Sequence, residues 1–249
     1  MRQHTLLARF LIASFVAASQ LAISGWAIAA APKPFRAEYS ALRNGEKLGV
    51  ATIGFSARPG GRFELLTSTR GSEGLAAVAG VSIEERSVLA WAGNRPETVS
   101  YRYLQQVAWK NRERRVDVDA PAGKIIRSDK NGSQVLRYQP GVLDRHAVTV
   151  ALMQDLAAGK TGDLLYAVPE REGVVSQRYR PSGIESLDTN LGRQRVIRVE
   201  RIRDDGNGRS TVVWFGVDRQ FLPLRILQTE PNGDSIELRI SAIRYPVRR

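Results

Sequence analysis

The chain contains no cysteine and only two histidines, His4 and His146. Without thiols it can form no disulfide, and it can hold no metal through thiolates. With one histidine beyond the first thirty residues, a zinc site built from several histidines is excluded as well. The G-x-S-x-G motif of a nucleophile elbow is also missing. We therefore expect no catalytic residues, no metal and no cofactor.

Long apolar stretches are confined to the start of the chain. Phe10–Ile23 is mostly apolar, and no run after Phe35 approaches the roughly 20 residues that a membrane-spanning helix needs. Arg2 and Arg9 precede this run, and the small-residue motif Ala27-Ile28-Ala29 follows it. A basic start, an apolar middle and a small-residue exit are typical of a secretory signal peptide.

This leader predicts export to the periplasm. We expect residues 1–29 to be removed by cleavage after Ala29, with Ala30 as the next best site, and residues 30–249 to form a single β-rich domain. An uncleaved membrane anchor is the alternative, but the small-residue exit favours cleavage. Since there is no cysteine to carry a lipid, we expect a soluble periplasmic protein and not a lipoprotein.

The chain is strongly basic, with a formal net charge of +12 and 31 arginines against 6 lysines. Such a charge attracts anionic partners such as phospholipid headgroups or acidic polymers, whereas nucleic acid is scarce in the periplasm. The bases are densest in Arg112–Arg115 and Arg193–Arg203, where they alternate with other residues as on solvated strand faces. We interpret this charge as general attraction, with a specific anionic ligand as the less favoured alternative.

Alternating apolar and polar residues from Phe35 onward predict β-strands separated by turns, and these form an antiparallel meander. In the last strand we expect Ile236 and Ile240 to face the core and Glu237 to face solvent. The segment Gly74–Gly80 fits either a second short helix or a loop of small residues. The clearest turn signals are Asn44-Gly45, Pro59-Gly60-Gly61, Asn94-Arg95-Pro96, Asn131-Gly132, Asp205–Gly208 and Pro231-Asn232-Gly233.

One long helix interrupts the strands. Asp144 is a good N-cap and Gly159 a good residue for the position after the C-cap, so the sequence predicts a helix over Arg145–Ala158. This helix is apolar on nearly every side and should be buried, with Leu152 and Leu156 in the core. The predicted fold is mainly β, a single curved antiparallel sheet (a half-barrel or spiral) wrapping one long α-helix.

Four segments resemble an uncharacterised bacterial envelope family, domain of unknown function 3108. They are PFRAEYSALRNGEKLGVATIGF (Pro34–Phe55), LDRHAVTVALMQDLAAG (Leu143–Gly159), LDTNLGRQRVIRVERI (Leu187–Ile202) and FLPLRILQTE (Phe221–Glu230). The resemblance implies a fold similar to outer-membrane lipoprotein carrier proteins, with a concave apolar groove for acyl chains. It implies no activity, because fold does not determine function.

Side chains suited to chemistry are few. His146 beside Asp144 is interpreted as an exposed residue on the first helical turn next to a capping residue. Asp155 lies on the apolar face of the helix, where an ionised carboxylate needs a partner. We expect it to clamp helix to sheet through an arginine, such as Arg225 or Arg198, or through backbone N–H groups; the alternative is a group facing a ligand.

Aromatic residues in strands supply the remaining candidates. Tyr101 and Tyr103 share a strand face and, with Trp214 and Asp155, are the candidate ligand-binding residues; filling the core is the ordinary role of such rings. We expect a non-enzymatic protein that binds a lipid, another amphipathic envelope ligand or an envelope partner. The alternatives are a hydrolase or lyase that uses carboxylates on envelope polymer, and a purely structural envelope protein.

Overall fold

The computed structural model describes residues 31–74, 77, 79–203, 206 and 208–246. The predicted signal peptide and its cleavage at Ala29 or Ala30 lie outside these residues, and so does much of the Gly74–Gly80 segment. Fourteen strands make up the sheet: β1 Phe35–Arg43, β2 Glu46–Arg58, β3 Arg62–Gly71, β4 Ser82–Ala92, β5 Arg95–Val107, β6 Lys110–Asp119, β7 Lys124–Asp129, β8 Gly132–Arg137, β9 Leu164–Glu170, β10 Gly173–Thr189, β11 Gly192–Ile202, β12 Ser210–Gly216, β13 Leu222–Thr229 and β14 Ser235–Arg244. The helix α1 covers Val148–Ala157, and a 3-10 turn covers Val217–Arg219.

The strands form one antiparallel sheet in the order β8-β7-β6-β5-β4-β3-β2-β1-β14-β13-β12-β11-β10-β9. The prediction of a mainly β protein with a single antiparallel sheet is confirmed. The first and last strands pair in the middle, so two meanders meet there, and β8 and β9 form the edges. Because each hairpin reverses the chain, alternate turns lie at the same end of the sheet. We call the end that carries the turns after β1, β3, β5, β7, β9, β11 and β13 the upper end.

The turn after β1 shows how the sequence sets these reversals. Asn44 and Gly45 both adopt positive φ angles, 52° and 85°. Two positive φ angles define the type I′ hairpin turn that Asn-Gly favours, and its twist matches that of the flanking strands. The Asn44 N–H donates to the Ser235 carbonyl oxygen at 3.0 Å, which joins this turn to the start of β14.

The two edges of the sheet approach each other, which makes the sheet a nearly closed, barrel-like structure. Val174 of β10 packs against a buried cluster contributed mostly by strands from the other edge. The buried members of that cluster are Tyr101, Val116, Ile125, Leu136 and Val142. A larger core cluster joins residues of β1, β2 and β3 to residues of β9–β14 and to the helix.

The helix α1 is buried on nearly every side, as predicted. Leu152 and Leu156 are each 2% exposed and belong to the larger core cluster. At its C-terminus Gly159 has a φ of 76°, the Gly159 N–H bonds to the Leu156 oxygen and the Lys160 N–H to the Asp155 oxygen. These two bonds form a Schellman motif, so the predicted role of Gly159 is confirmed.

The helix begins later than the sequence predicts. Asp144 was predicted to cap it directly, but α1 starts at Val148, after a turn over residues 145–147. The Asp144 carboxylate accepts hydrogen bonds from the backbone N–H groups of His146 and Ala147, both at 2.9 Å. Asp144 therefore caps the turn that leads into the helix, because its acceptor serves the free N–H groups there.

The alternation predicted for the last strand fails near its start. Ile236 is 50% exposed, whereas Glu237 is buried at 5% exposure. The side chains of Arg225 and Arg239 both bind the Glu237 carboxylate, which compensates its buried charge. Ile240 is buried as predicted. Within the described ranges, no helix has the length and apolarity to cross a membrane.

Candidate functional site

A cavity of about 660 Å³ lies towards the upper end of the sheet. Its lining comes from β5–β7, from the residues that precede α1, and from β9–β13 and their connections. The lining residues are Tyr101, Arg114, Arg115, Val116, Arg127, Asp144, Arg145, Pro169, Glu170, Glu172, Val175, Ser176, Gln177, Arg178, Tyr179, Arg201, Ile202, Arg203, Arg209, Thr211 and Gln228. Both meanders therefore contribute to one site.

The cavity is cationic. Among the lining residues that the structure describes, eight are arginines, whereas three carry carboxylates. Arginine presents a planar fork of N–H donors that matches carboxylate and phosphate oxygens. A concave wall that concentrates charge of one sign also raises the local concentration of ions of the opposite sign. The lining can therefore hold an anion.

Arg145 occupies a fixed position in the wall. Its Nε lies 3.3 Å from a carboxylate oxygen of Glu85, and its guanidinium lies 5.7 Å from the ring centre of Tyr103. Burial opposes the charge, but Glu85 and the hydroxyls of Tyr101 and Tyr103 hold the pKa of Arg145 above its ordinary value. Arg145 is therefore a permanent cation.

Arg114 is a weakly compensated charge at this site. Its guanidinium lies 5.6 Å from the centre of the Tyr103 ring, which Arg145 also contacts. Among the described residues, no carboxylate lies within 4 Å of it. Burial and the like charges of Arg145 and Arg112 lower its pKa. An anion in the cavity would relieve this repulsion, since an opposite charge stabilises a charged group.

Tyr101 and Glu85 hold the wall beside Arg145. Tyr101 is 4% exposed, and its hydroxyl donates a 2.6 Å hydrogen bond to Glu85. Although burial acts in the opposite direction, His146, Arg145 and this hydrogen bond lower the pKa of Glu85 below its ordinary value. Glu85 is thus an ionised anchor for Arg145, not a proton donor near neutral pH.

The opposite wall is organised by a chain of hydrogen bonds. The Tyr179 hydroxyl donates to Gln177 at 2.8 Å, and the Gln177 amide donates to Glu170 at 2.8 Å. Gln177 is 3% exposed, so its amide is held within the structure. Arg201 lies 4.0 Å from Glu170, at the limit of an ion pair. Glu170 therefore neutralises Arg201 only weakly.

A buried polar cluster lies behind Asp144. Ser87 Oγ donates to Asp144 at 2.8 Å and contacts His146 Nδ1 at 3.0 Å, and Thr98 donates to Asp144 at 2.9 Å. His146 Nε2 contacts Thr67 at 2.8 Å. Burial raises the pKa of Asp144, while His146 and the hydrogen-bond donors act against that rise.

This cluster is structural and differs from a catalytic triad. The carboxylate bonds the serine and not the imidazole, and Ser87 is fully buried, so a substrate cannot reach it. The prediction that His146 is exposed is wrong: it is 9% exposed, because its ring fills the space between two hydroxyl-bearing strands. Across the described part of the chain, no group of three or more histidines or acids could hold a metal ion.

Asp155 lies away from the cavity, on the far half of α1. Its carboxylate contacts Arg95 at 3.0 Å, Lys160 at 2.8 Å and the Tyr166 hydroxyl at 2.8 Å. The helix is thus joined to β5 through Arg95, as the clamp hypothesis requires, and to β9 through Tyr166. The proposed arginines are wrong, because Arg225 pairs with Glu237 and Arg198 with Glu200.

Trp214 is also remote from the cavity. It is 8% exposed, its indole N–H donates to Glu185 at 2.7 Å, and the Arg225 guanidinium lies 4.5 Å above its ring. Arg225 lines a second cavity of about 390 Å³ with residues such as Leu224. Trp214 itself does not line either of these two cavities.

Of the four candidate ligand-binding residues, the structure therefore brings two together. Tyr101 lines the cationic cavity and Tyr103 supports its arginines, whereas Asp155 and Trp214 lie elsewhere. Sequence reasoning missed the arginines themselves. The dense runs Arg112–Arg115 and Arg193–Arg203 contained the signal, but they were interpreted as solvated strand faces. Several of their members line the cavity, because the sheet closes.

The fold and the site define a barrel-like β protein with an arginine-lined cavity near the N-terminus of a buried helix. A family model, described as protein of unknown function (DUF3108), matches residues 35–241, and the chain belongs to that family. No curated protein matches the chain. The chain is similar in fold to a solved structure from Brucella abortus, which is that of a beta-barrel-like protein of domain of unknown function DUF1849. The TM-score is 0.53 at 10% identity, over 88% of this chain and 100% of that one.

Proposed function

We propose that this protein is a non-enzymatic binding protein that holds the anionic headgroup of an amphipathic envelope ligand in the cationic cavity. The observation that carries the proposal is that, within the described part of the chain, eight arginines and only three acids converge on one cavity. Its volume of about 660 Å³ falls within the range of roughly 300–1,000 Å³ that is usual for small-ligand sites.

The polarity of the cavity selects the part of the ligand that it receives. An acyl chain would need an apolar wall, but arginines dominate this one. Val116, Val175 and Ile202 add apolar surface between the charges. Phosphate or carboxylate oxygens suit the arginine forks, while these side chains can contact the attached carbon skeleton.

The hydrolase or lyase alternative has less support. Asp155 does contact a tyrosine, Tyr166, but neither residue lines the cationic cavity. Burial and the neighbouring Asp155 raise the pKa of Tyr166, which makes it a poor proton donor. Within the cavity, the carboxylate of Asp144 is occupied by backbone and hydroxyl donors.

Two further parts of the proposal concern shape and place. We propose that the sheet curves around α1, since the larger core cluster joins helix residues to strands of both meanders. The protein acts in the periplasm after removal of residues 1–29, as the leader indicates. An envelope lipid with an anionic headgroup would be available there.

Calorimetric titration with dihexanoyl phosphatidylglycerol, kept monomeric in solution, tests the proposed function. We expect binding by the wild type, and a dissociation constant about tenfold higher for Arg114→Gln, because one charge-assisted contact is worth about 1.4 kcal/mol or more. Arg114 is suited to the test because its replacement leaves no described carboxylate without its ion-pair partner.

The control variant is Arg102→Gln. Arg102 lies on the same hairpin and pairs with Glu113, but it does not line the cavity. We expect its affinity to match the wild type. Equal weakening in both variants would indicate general charge attraction, and undiminished binding by Arg114→Gln would place the ligand elsewhere.

A further inference from the structure

The turn between β5 and β6 carries an unusually exposed aromatic residue. Trp109 is 87% exposed, although tryptophan has one of the largest apolar surfaces of any side chain. Among the described residues, the other large apolar side chains with more than half of their surface exposed, Val135, Leu165 and Ile184, lie within strands. Trp109 instead lies between two strands at a hairpin tip. Its indole is therefore available for a contact outside the folded chain.

The tip is held in a defined conformation. Ala108 has a φ of 50°, which is rare for a residue with a side chain. Its N–H donates to the Ala79 carbonyl oxygen at 2.7 Å, so the tip is joined to the connection between β3 and β4. The hydrogen bond therefore anchors the tip at Ala79.

The residues around Trp109 are basic. Residues 98–112 include Arg102, Lys110 and Arg112 and contain no acid. Lys110 and Arg112 are exposed, and neither has a carboxylate within 4 Å among the described residues. An indole beside cations suits the interface of an anionic bilayer. There the ring lies among the headgroups, and the cations contact phosphates.

The tip and the cationic cavity occupy the same end of the molecule. The turn after β5 belongs to the upper end, and so do the β9–β10 and β11–β12 connections that supply Glu172, Arg203 and Arg209 to the cavity lining. Arg114 follows Trp109 by five residues along β6, a separation of about 16 Å at the rise of a strand. A surface that contacts Trp109 would thus lie beside the cavity.

We propose that the β5–β6 tip, Trp109 with Lys110 and Arg112, docks the upper end of the protein onto an anionic phospholipid bilayer. The indole enters the headgroup region and the two cations contact lipid phosphates. Docking sets the cavity next to the membrane surface, where an anionic lipid could reach it. The docking itself depends on the tip and not on the identity of the cavity's ligand.

Vesicle sedimentation tests the proposal with the full mature chain. We expect the wild type to bind vesicles of phosphatidylglycerol mixed with phosphatidylcholine, and to bind vesicles of phosphatidylcholine alone at least about tenfold more weakly, because Lys110 and Arg112 are attracted to anionic headgroups. Trp109→Ser should weaken binding to the anionic vesicles by about tenfold or more, since the indole supplies the apolar contact. Its thermal midpoint should match the wild type, because the indole makes little contact with the fold.

Leu165→Ser is the matched control. Leu165 is 62% exposed on β9, away from the tip, so the substitution removes exposed apolar surface at a different place on the protein. We expect it to leave vesicle binding unchanged. The proposal is overturned if the wild type does not bind anionic vesicles, if it binds neutral vesicles equally, or if Leu165→Ser weakens binding as much as Trp109→Ser does.

Discussion

Replacing Leu152 with alanine is expected to lower the free energy of unfolding by about 2–5 kcal/mol. The side chain is 2% exposed and packs in the core cluster that joins the helix to both meanders, so its removal leaves a cavity that the surrounding strands cannot readily fill. Denaturant unfolding measures the change, and an unaltered m-value would show that the mutant still unfolds from the same compact state.

Thr149→Ala provides the control for Leu152→Ala. Thr149 lies on the same helix but is only partly buried. Alanine has the higher helix propensity, so we expect a change below about 1 kcal/mol. A loss near zero at Leu152 would mean that the helix lies on the surface, and the proposal that the sheet curves around it would fail.

Asp144→Ala should destabilise the protein by about 3–5 kcal/mol, since it removes a cap and leaves buried hydroxyls unsatisfied. The carboxylate is 1% exposed and accepts hydrogen bonds from two backbone N–H groups and from Ser87 and Thr98. The Ser87 and Thr98 hydroxyls are themselves buried, so each loses its acceptor away from the surface. Thermal and denaturant unfolding of the same samples would report the loss.

An exposed acid gives the comparison for Asp144→Ala. Asp163 forms two hydrogen bonds with Arg180 on the surface. Surface ion pairs contribute little, so Asp163→Ala should destabilise the protein far less than Asp144→Ala does. If Asp144→Ala cost no more than Asp163→Ala, the carboxylate would not organise the turn before the helix, and the placement of Arg145 in the cavity wall would need another explanation.

The sequence predicted the parts of the fold that depend on local pattern. Alternation predicted the strands, and Asn44-Gly45 predicted a turn because its positive φ angles suit few other residue pairs. The helix was placed by its apolar sides and by Gly159, whose left-handed conformation completes a Schellman motif. These features act over a few residues, so the chain alone reveals them.

The functional site depends on closure of the sheet, which local pattern does not reveal. Arg114 and Arg201 belong to different meanders, and only the fold brings them to one cavity. The partner of Asp155 illustrates the same limit. The sequence predicted that an arginine would pair with the carboxylate, but it did not indicate that the fold would bring Arg95 of β5 next to it. His146 was misplaced because its burial depends on strands β3 and β4.

The central claim is that the cationic cavity binds an anionic ligand, and native mass spectrometry of the protein purified from the periplasm tests it most directly. We predict that the wild type retains a small molecule which, after extraction, is a phosphate- or carboxylate-bearing amphiphile. We also predict that Arg114→Gln retains much less of it, while Arg102→Gln retains it fully. Wild-type protein that retains no small molecule, or a neutral lipid that all three proteins retain equally, would contradict the account.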